Sequence, residues 1–160
     1  MLTQLSDPQV ALVTKGCLQN QLSAGFLSRL GAWSYLINDA NRQRHSSGSS
    51  LNTSREVMAL TAVIRGLKEI PIPSAINITV ASETVMNGAT LWLYAWKNNN
   101  WTTFTGQSIE NRELWQELED RIDFHKKVTW TLTSGSNLTQ ETNFVEKLCL
   151  LKITSVICGL

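Results

Sequence analysis

Strand-like segments open this chain and helical ones follow, and that order limits the fold more than any bulk property. Val10-Ala11-Leu12-Val13-Thr14 is a short apolar run suited to a buried strand, and Gly31-Ala32-Trp33-Ser34-Tyr35-Leu36-Ile37 is a second. Strands are expected at 9–15 and 24–37, with a break near Leu30-Gly31, and a short third near Asn38–Gln43. A helix is expected from Ser54, an N-cap candidate, to Lys68, because Val57, Leu60, Ile64 and Leu67 recur at helical spacing; Pro71 and Pro73 stop it. Ile76 to Ala81 reads as a central strand, Glu83 to Lys97 as a helix and Asn98-Asn99-Asn100 as a polar turn. Asn111 to Phe124 reads as another helix, Val128 to Leu132 as the last strand and Gln140 to Leu151 as the final helix. The expected fold class is α/β: a five-stranded mixed sheet flanked by helices.

The remaining segments read as irregular. Residues 1–8 form a loose leader ending at Pro8, His45-Ser46-Ser47-Gly48-Ser49-Ser50 a flexible loop, and 153–160 an apolar C-terminal tail of high β propensity. At 160 residues, with 42% hydrophobic and 17% charged residues, one compact domain over 1–160 is expected. No apolar run reaches membrane-spanning length and no signal-peptide pattern opens the chain, so the expected location is cytoplasmic, with no membrane partner. Cys17, Cys149 and Cys158 lack metal-site spacing and read as free thiols. The Asn-X-Ser/Thr triplets at Asn52, Asn77, Asn100 and Asn137 read as products of composition rather than glycosylation sites. A net charge of +1 gives no strong basic stripe of the sort nucleic-acid binders usually carry. No Ser/His/Asp set, P-loop or dinucleotide fingerprint is present, and His125-Lys126-Lys127 reads as positive charge at a helix C-terminus.

The first strand ends at Thr14-Lys15-Gly16, and a set of short matches makes this position readable. Ser54-Arg55-Glu56-Val57-Met58-Ala59 opens the first helix, and Val80-Ala81-Ser82-Glu83 follows the central strand. Asn87-Gly88-Ala89-Thr90-Leu91-Trp92, Trp96-Lys97, Trp101 and Asn111-Arg112-Glu113-Leu114-Trp115-Gln116 then follow in ungapped order, in a chain with six tryptophans. In these motifs the chain resembles type 1 ribonuclease H over nearly its whole length. Thr14-Lys15-Gly16 sits where that family has Thr-Asp-Gly. The tryptophan segment resembles the handle region of the bacterial enzymes.

The resemblance implies a ribonuclease H-like fold and an ancestral endonucleolytic cleavage of RNA in RNA–DNA hybrids. That reaction needs converging carboxylates that hold two cations about 4 Å apart. Of the family's four acidic positions, the first falls on Lys15, the second on Glu56 and the third on Ala81. The fourth falls on Glu146, or on Lys147 if the helix shifts by one residue. Glu83, two residues past Ala81, is a possible substitute. The family's loop histidine falls near Ser136. An ammonium at position 15 repels the Mg²⁺ that a carboxylate attracts, and pairing of Lys15 with Glu56 and Glu146 is one way to fill the metal space.

For substrate contact, the resemblance implies Gly16, Asn20, Asn52 and Ser82, with Lys97 and Trp101 in the handle. Turn and cap chemistry accounts for Asn20, Asn52 and Ser82 equally well. The handle tryptophans fit a local core better than base stacking. Arg42, Arg44, His45 and Arg55 form a modest basic cluster or a solvated loop. The leading expectation is an inactive or strongly impaired ribonuclease H-like protein that needs no cofactor and binds RNA–DNA hybrid weakly. A second is a divergent enzyme using Glu56, Glu83 and Glu146 with one Mg²⁺ or Mn²⁺. A third is a protein-interaction or homo-oligomerisation module acting through the C-terminal tail.

Overall fold

The computed structural model describes residues 9–19, 29–40 and 42–159. Its elements are β1 (Gln9–Leu18), β2 (Gly31–Asp39), β3 (Arg42–Ser50), α1 (Arg55–Lys68), β4 (Ala75–Val80), α2 (Glu83–Asn87), a π-helical turn (Gly88–Trp92), α3 (Leu93–Asn98), α4 (Arg112–Phe124), β5 (Lys127–Leu132) and α5 (Gln140–Cys158). The five strands lie in one sheet in the order β3-β2-β1-β4-β5. β1–β2 and β2–β3 are antiparallel, and β1–β4 and β4–β5 are parallel. The expected five-stranded mixed sheet is therefore present.

Strand alternation distributes β1 and β2 between two cores. Leu12, Tyr35 and Ile37 join Leu60, Val63, Ile64 and Leu67 of α1 in the main core, which continues to Trp115 and Leu118 of α4. Val13 and Leu36 point the other way, onto Val145 of α5. Leu30 and Ala32 meet Cys149 and Ile153 of the same helix. Buried positions Thr142, Val145, Cys149 and Ile153 fall three and four residues apart, one stripe of a helix.

Four local expectations need correction. The Ser/Gly stretch expected to be a flexible loop is most of β3, which pairs with β2 from Asp39↔Arg42 to Gly31↔Ser50. β3 also replaces the short third strand expected near Asn38–Gln43. β2 supplies its ladder, and Gly48 lies under Trp33, where an added Cβ would strike the indole, so small residues are a packing requirement there. The tail expected to be apolar and strand-like continues α5 to Cys158; burial of Ile153, with Val156 packed beside it, overrides β propensity. The single helix expected at 83–97 is α2, the π-helical turn and α3. Gly88 opens that turn against Trp115, whose ring an added Cβ would meet. The part of the second strand expected at 24–28 lies outside the described residues.

Candidate functional site

The parallel pairing of β1 with β4 sets the geometry of the site. Val13 faces Thr79 in the register, and the Thr14 Oγ1 hydroxyl donates a 2.9 Å hydrogen bond to the Thr79 carbonyl. Two residues beyond Val13 and Thr79 come Lys15 and Ala81, which line the same cleft. The cleft has two adjoining parts. One, of about 140 Å³, lies between Lys15, Arg55, Ala81 and Ser82. The other, of about 390 Å³, is bounded by Lys15, Ala81, Ser134, Thr142 and Glu146.

Helix ends aim residues at this cleft. The Ser54 hydroxyl accepts from the Val57 N–H at 3.1 Å, so α1 begins at Arg55. The Ser82 hydroxyl accepts from the Val85 N–H at 3.2 Å and starts α2 beside Ala81. Gly16 lets β1 approach α1 closely: a Cβ there would run into the backbone of Met58 and Ala59. Behind the floor, the Cys149 thiol donates to the Lys15 carbonyl at 3.3 Å and lies 3.3 Å from the Ser34 hydroxyl. Contact with Cys149, and after it the Ala32 backbone and the smaller effects of Lys15 and Arg55, draw the Cys17 thiol below its ordinary range against the opposing effect of burial. The same contact, then burial, pushes Cys149 up.

The carboxylates are dispersed. Glu146 lines the larger cavity and is exposed. Glu56 is half-buried but lines neither part. Burial first, and then the charge of Glu110, raise its carboxyl above the usual range. Among the described residues the ion pairs are Lys68–Glu117 and Lys97–Glu119. Lys15 therefore does not make the expected pairs with Glu56 and Glu146. Glu83 is exposed in the first turn of α2 and does not line the cleft, whereas Ala81 does. Among the described residues no three His, Cys, Asp or Glu side chains gather so as to hold a metal ion. A donor set of Lys15, Arg55, Ala81 and one exposed glutamate does not fit a pair of divalent cations.

The other expected contact residues are scattered. Asn20 lies outside the described residues. Asn52 is exposed in the turn before α1, with φ 53°. Lys97 is held by Glu119 at 2.8 Å, so the handle's positive charge is already paired. Trp101 is half-buried, its ring 6.5 Å from that of Trp96, which in turn stands edge-on to Trp115 at 5.2 Å. Ser136 is exposed and lies 3.0 Å from the Ser134 hydroxyl. The basic cluster expected around the Ser/Gly stretch divides: Arg42 and Arg44 line a separate cavity beside Pro71 and Pro73, and His45 stacks edge-on against Phe144. Only Arg55 of the four joins the cleft. Its cue in the sequence is its place at the start of α1, directly before Glu56; the effect of the Glu110 charge on Glu56 has no such cue.

The ribonuclease H family model matches residues 7–147. A ribonuclease H from Hydrogenovibrio crunogenus is 35% identical over 118 residues, covering 74% of this chain and 81% of that protein. This chain belongs to the type 1 ribonuclease H family. A second relative, the ribonuclease H of Neisseria gonorrhoeae, is 34% identical over 129 residues, 81% of this chain and 84% of that one. Among solved structures, LC9-RNase H1, a type 1 RNase H with the type 2 active-site motif, superposes with a TM-score of 0.76 at 23% identity. That match covers 93% of this chain and 74% of the other. A foamy viral protease-reverse transcriptase chain in complex with dsDNA gives 0.79 at 15% identity, covering 95% and 97%. These structural matches show the ribonuclease H fold. No helix among the described residues is long and apolar enough to cross a membrane.

Proposed function

We propose that this ribonuclease H-like protein has lost, or retains only in strongly impaired form, metal-dependent cleavage of RNA in RNA–DNA hybrids, and acts as a weak nucleic-acid-binding module. The observation that carries this reading is the side-by-side placement of Lys15 and Ala81 in the cleft, with Arg55 next to them. An ammonium and a guanidinium oppose cation entry, and a methyl group supplies no ligand. Weak binding is favoured by the Lys97–Glu119 pair, which leaves the handle little charge to offer phosphates.

The test is a hybrid-cleavage assay with Mg²⁺ or Mn²⁺. Turnover no greater than a protein-free blank is expected. Metal-dependent turnover that Glu56→Gln abolishes would overturn the reading and restore the one-metal alternative through Glu56, Glu83 and Glu146. The positions of Glu56 and Glu83 outside the cleft lining give that alternative no support. For association through the C-terminal tail, Ile153 is occupied against the chain's own sheet, while Ile157 and Cys158 are exposed.

A further inference from the structure

The geometry points to a metal-free phosphate site in which Lys15 and Arg55 together hold one phosphate group in the small part of the cleft. This rests on the reading that cation chemistry has been lost there, and it names what took its place.

Both cations border the same 140 Å³ cavity. Neither belongs to an ion pair among the described residues. A positive pair left without a carboxylate partner is an unusual arrangement in a half-enclosed space, and an anion resolves it. The cavity wall adds a donor: the Ser82 oxygen is occupied by the Val85 N–H, which leaves the hydroxyl proton for a ligand. Arg55 stands in the first turn of the 14-residue α1, where the helix end contributes further positive potential.

Neither nearby carboxylate borders the small cavity. Glu146 borders the larger cavity beyond Lys15 and is absent from the lining of the small one. Glu56 lines neither cavity. The shared chemistry of the ligand is a phosphate oxygen group, whether in a nucleic-acid backbone or free in solution. Two fixed cations would meet the charge that mobile metal ions meet in a cleaving enzyme.

The experiment uses the full chain in EDTA. Fluorescence anisotropy measures binding of a labelled RNA–DNA hybrid at several salt concentrations, for the parent, Lys15→Gln, Arg55→Gln and Lys15→Arg. In parallel, inorganic phosphate is titrated while amide NMR shifts of Lys15, Gly16 and Ala81 are followed. The expected result is hybrid binding by the parent in EDTA, weakened about threefold to tenfold by either glutamine and retained by Lys15→Arg. Each glutamine should also lower the logarithmic salt slope by about one. Amide shifts with inorganic phosphate would mean that any phosphate group is accepted; their absence alongside charge-dependent hybrid binding would assign the site to backbone phosphodiesters. Circular dichroism establishes that each variant is folded, and Arg55→Gln, on an exposed side chain, tests the site independently of Lys15. The inference is overturned if the parent binds neither ligand, or if both glutamine variants bind as the parent does. Failure of the preceding proposal is separate, since that appears as metal-dependent cleavage by the parent.

Discussion

Ser34 on β2 donates a 2.6 Å hydrogen bond to the carbonyl of Val145 on α5, fixing that helix on the sheet face behind the cleft. Both partners are buried, and the Cys149 thiol lies against the same hydroxyl. Ser34→Ala is expected to lower stability by about 1–2 kcal/mol, the usual cost of a buried hydrogen bond removed from one side. Urea denaturation measures this, and a variant as stable as the parent would show that apolar packing alone seats α5.

Gly88 and Gly48 test how far a tryptophan can yield. Each would drive a new Cβ into an indole, but Trp115 at Gly88 is 1% exposed while Trp33 at Gly48 is only half-buried. Gly88→Ala is therefore expected to cost about 1–3 kcal/mol through overpacking. Gly48→Ala should cost less, because Trp33 can turn toward solvent. Thermal melts of the two variants give the order, and equal losses would contradict it.

His125 gives the fold a pH dependence. Its ring is buried, with Nδ1 accepting from the Ser74 N–H at 3.3 Å. Burial first, opposed by the Leu67 carbonyl and then aided by Arg121, lowers its affinity for a proton. An unfolded histidine titrates near about 6.5. The folded chain keeps the neutral ring below that point, so the associated stability is full above pH ~6.5 and is lost as pH falls through the lower folded value. Denaturation midpoints for the parent should fall between about pH 7 and pH 5 more steeply than those of His125→Gln. Parallel profiles would remove His125 as the cause.

The loss of metal ligands is testable by restoring them. In Lys15→Asp, Ala81→Asp, two carboxylates enter the cleft at the level fixed by the β1–β4 pairing, facing Glu146. Mg²⁺ should raise the melting temperature of this double variant and leave the parent unchanged. Binding to the native state alone adds about 2.7 kcal/mol when metal is about a hundredfold above its dissociation constant. A double variant indifferent to Mg²⁺ would mean that the backbone no longer supports the site.

The periodic segments were legible because their burial patterns match their sequence patterns: Leu60, Ile64 and Leu67 are buried on α1, and Ile76 and Ile78 on β4. β3 was not, because a serine-rich edge strand takes its hydrogen bonds from β2 and carries no apolar signal of its own. The end of α5 was hidden for the opposite reason, since Ile153, Val156 and Ile157 suit a strand until the sheet face beneath Ile153 is known. In the cleft, the positions of Lys15 and Ala81 could be read from aligned motifs. The absence of Glu56 from the cleft lining, and the meeting of Arg55 with Lys15 around one cavity, depend on packing between residues far apart in the chain.

Among the described residues, the nine of β3 also form one long border of the sheet, with outward main-chain donors and acceptors that another extended segment could copy. Charge falls where that border begins. Arg42 is exposed, and the Arg44 guanidinium is tied to the Glu69 carbonyl at 2.5 Å. Farther along, the strand is serine and glycine, which give an incoming chain almost no apolar surface to bury. The same plainness that disguises β3 as a loop thus gives a second copy of the chain little to bury along that edge.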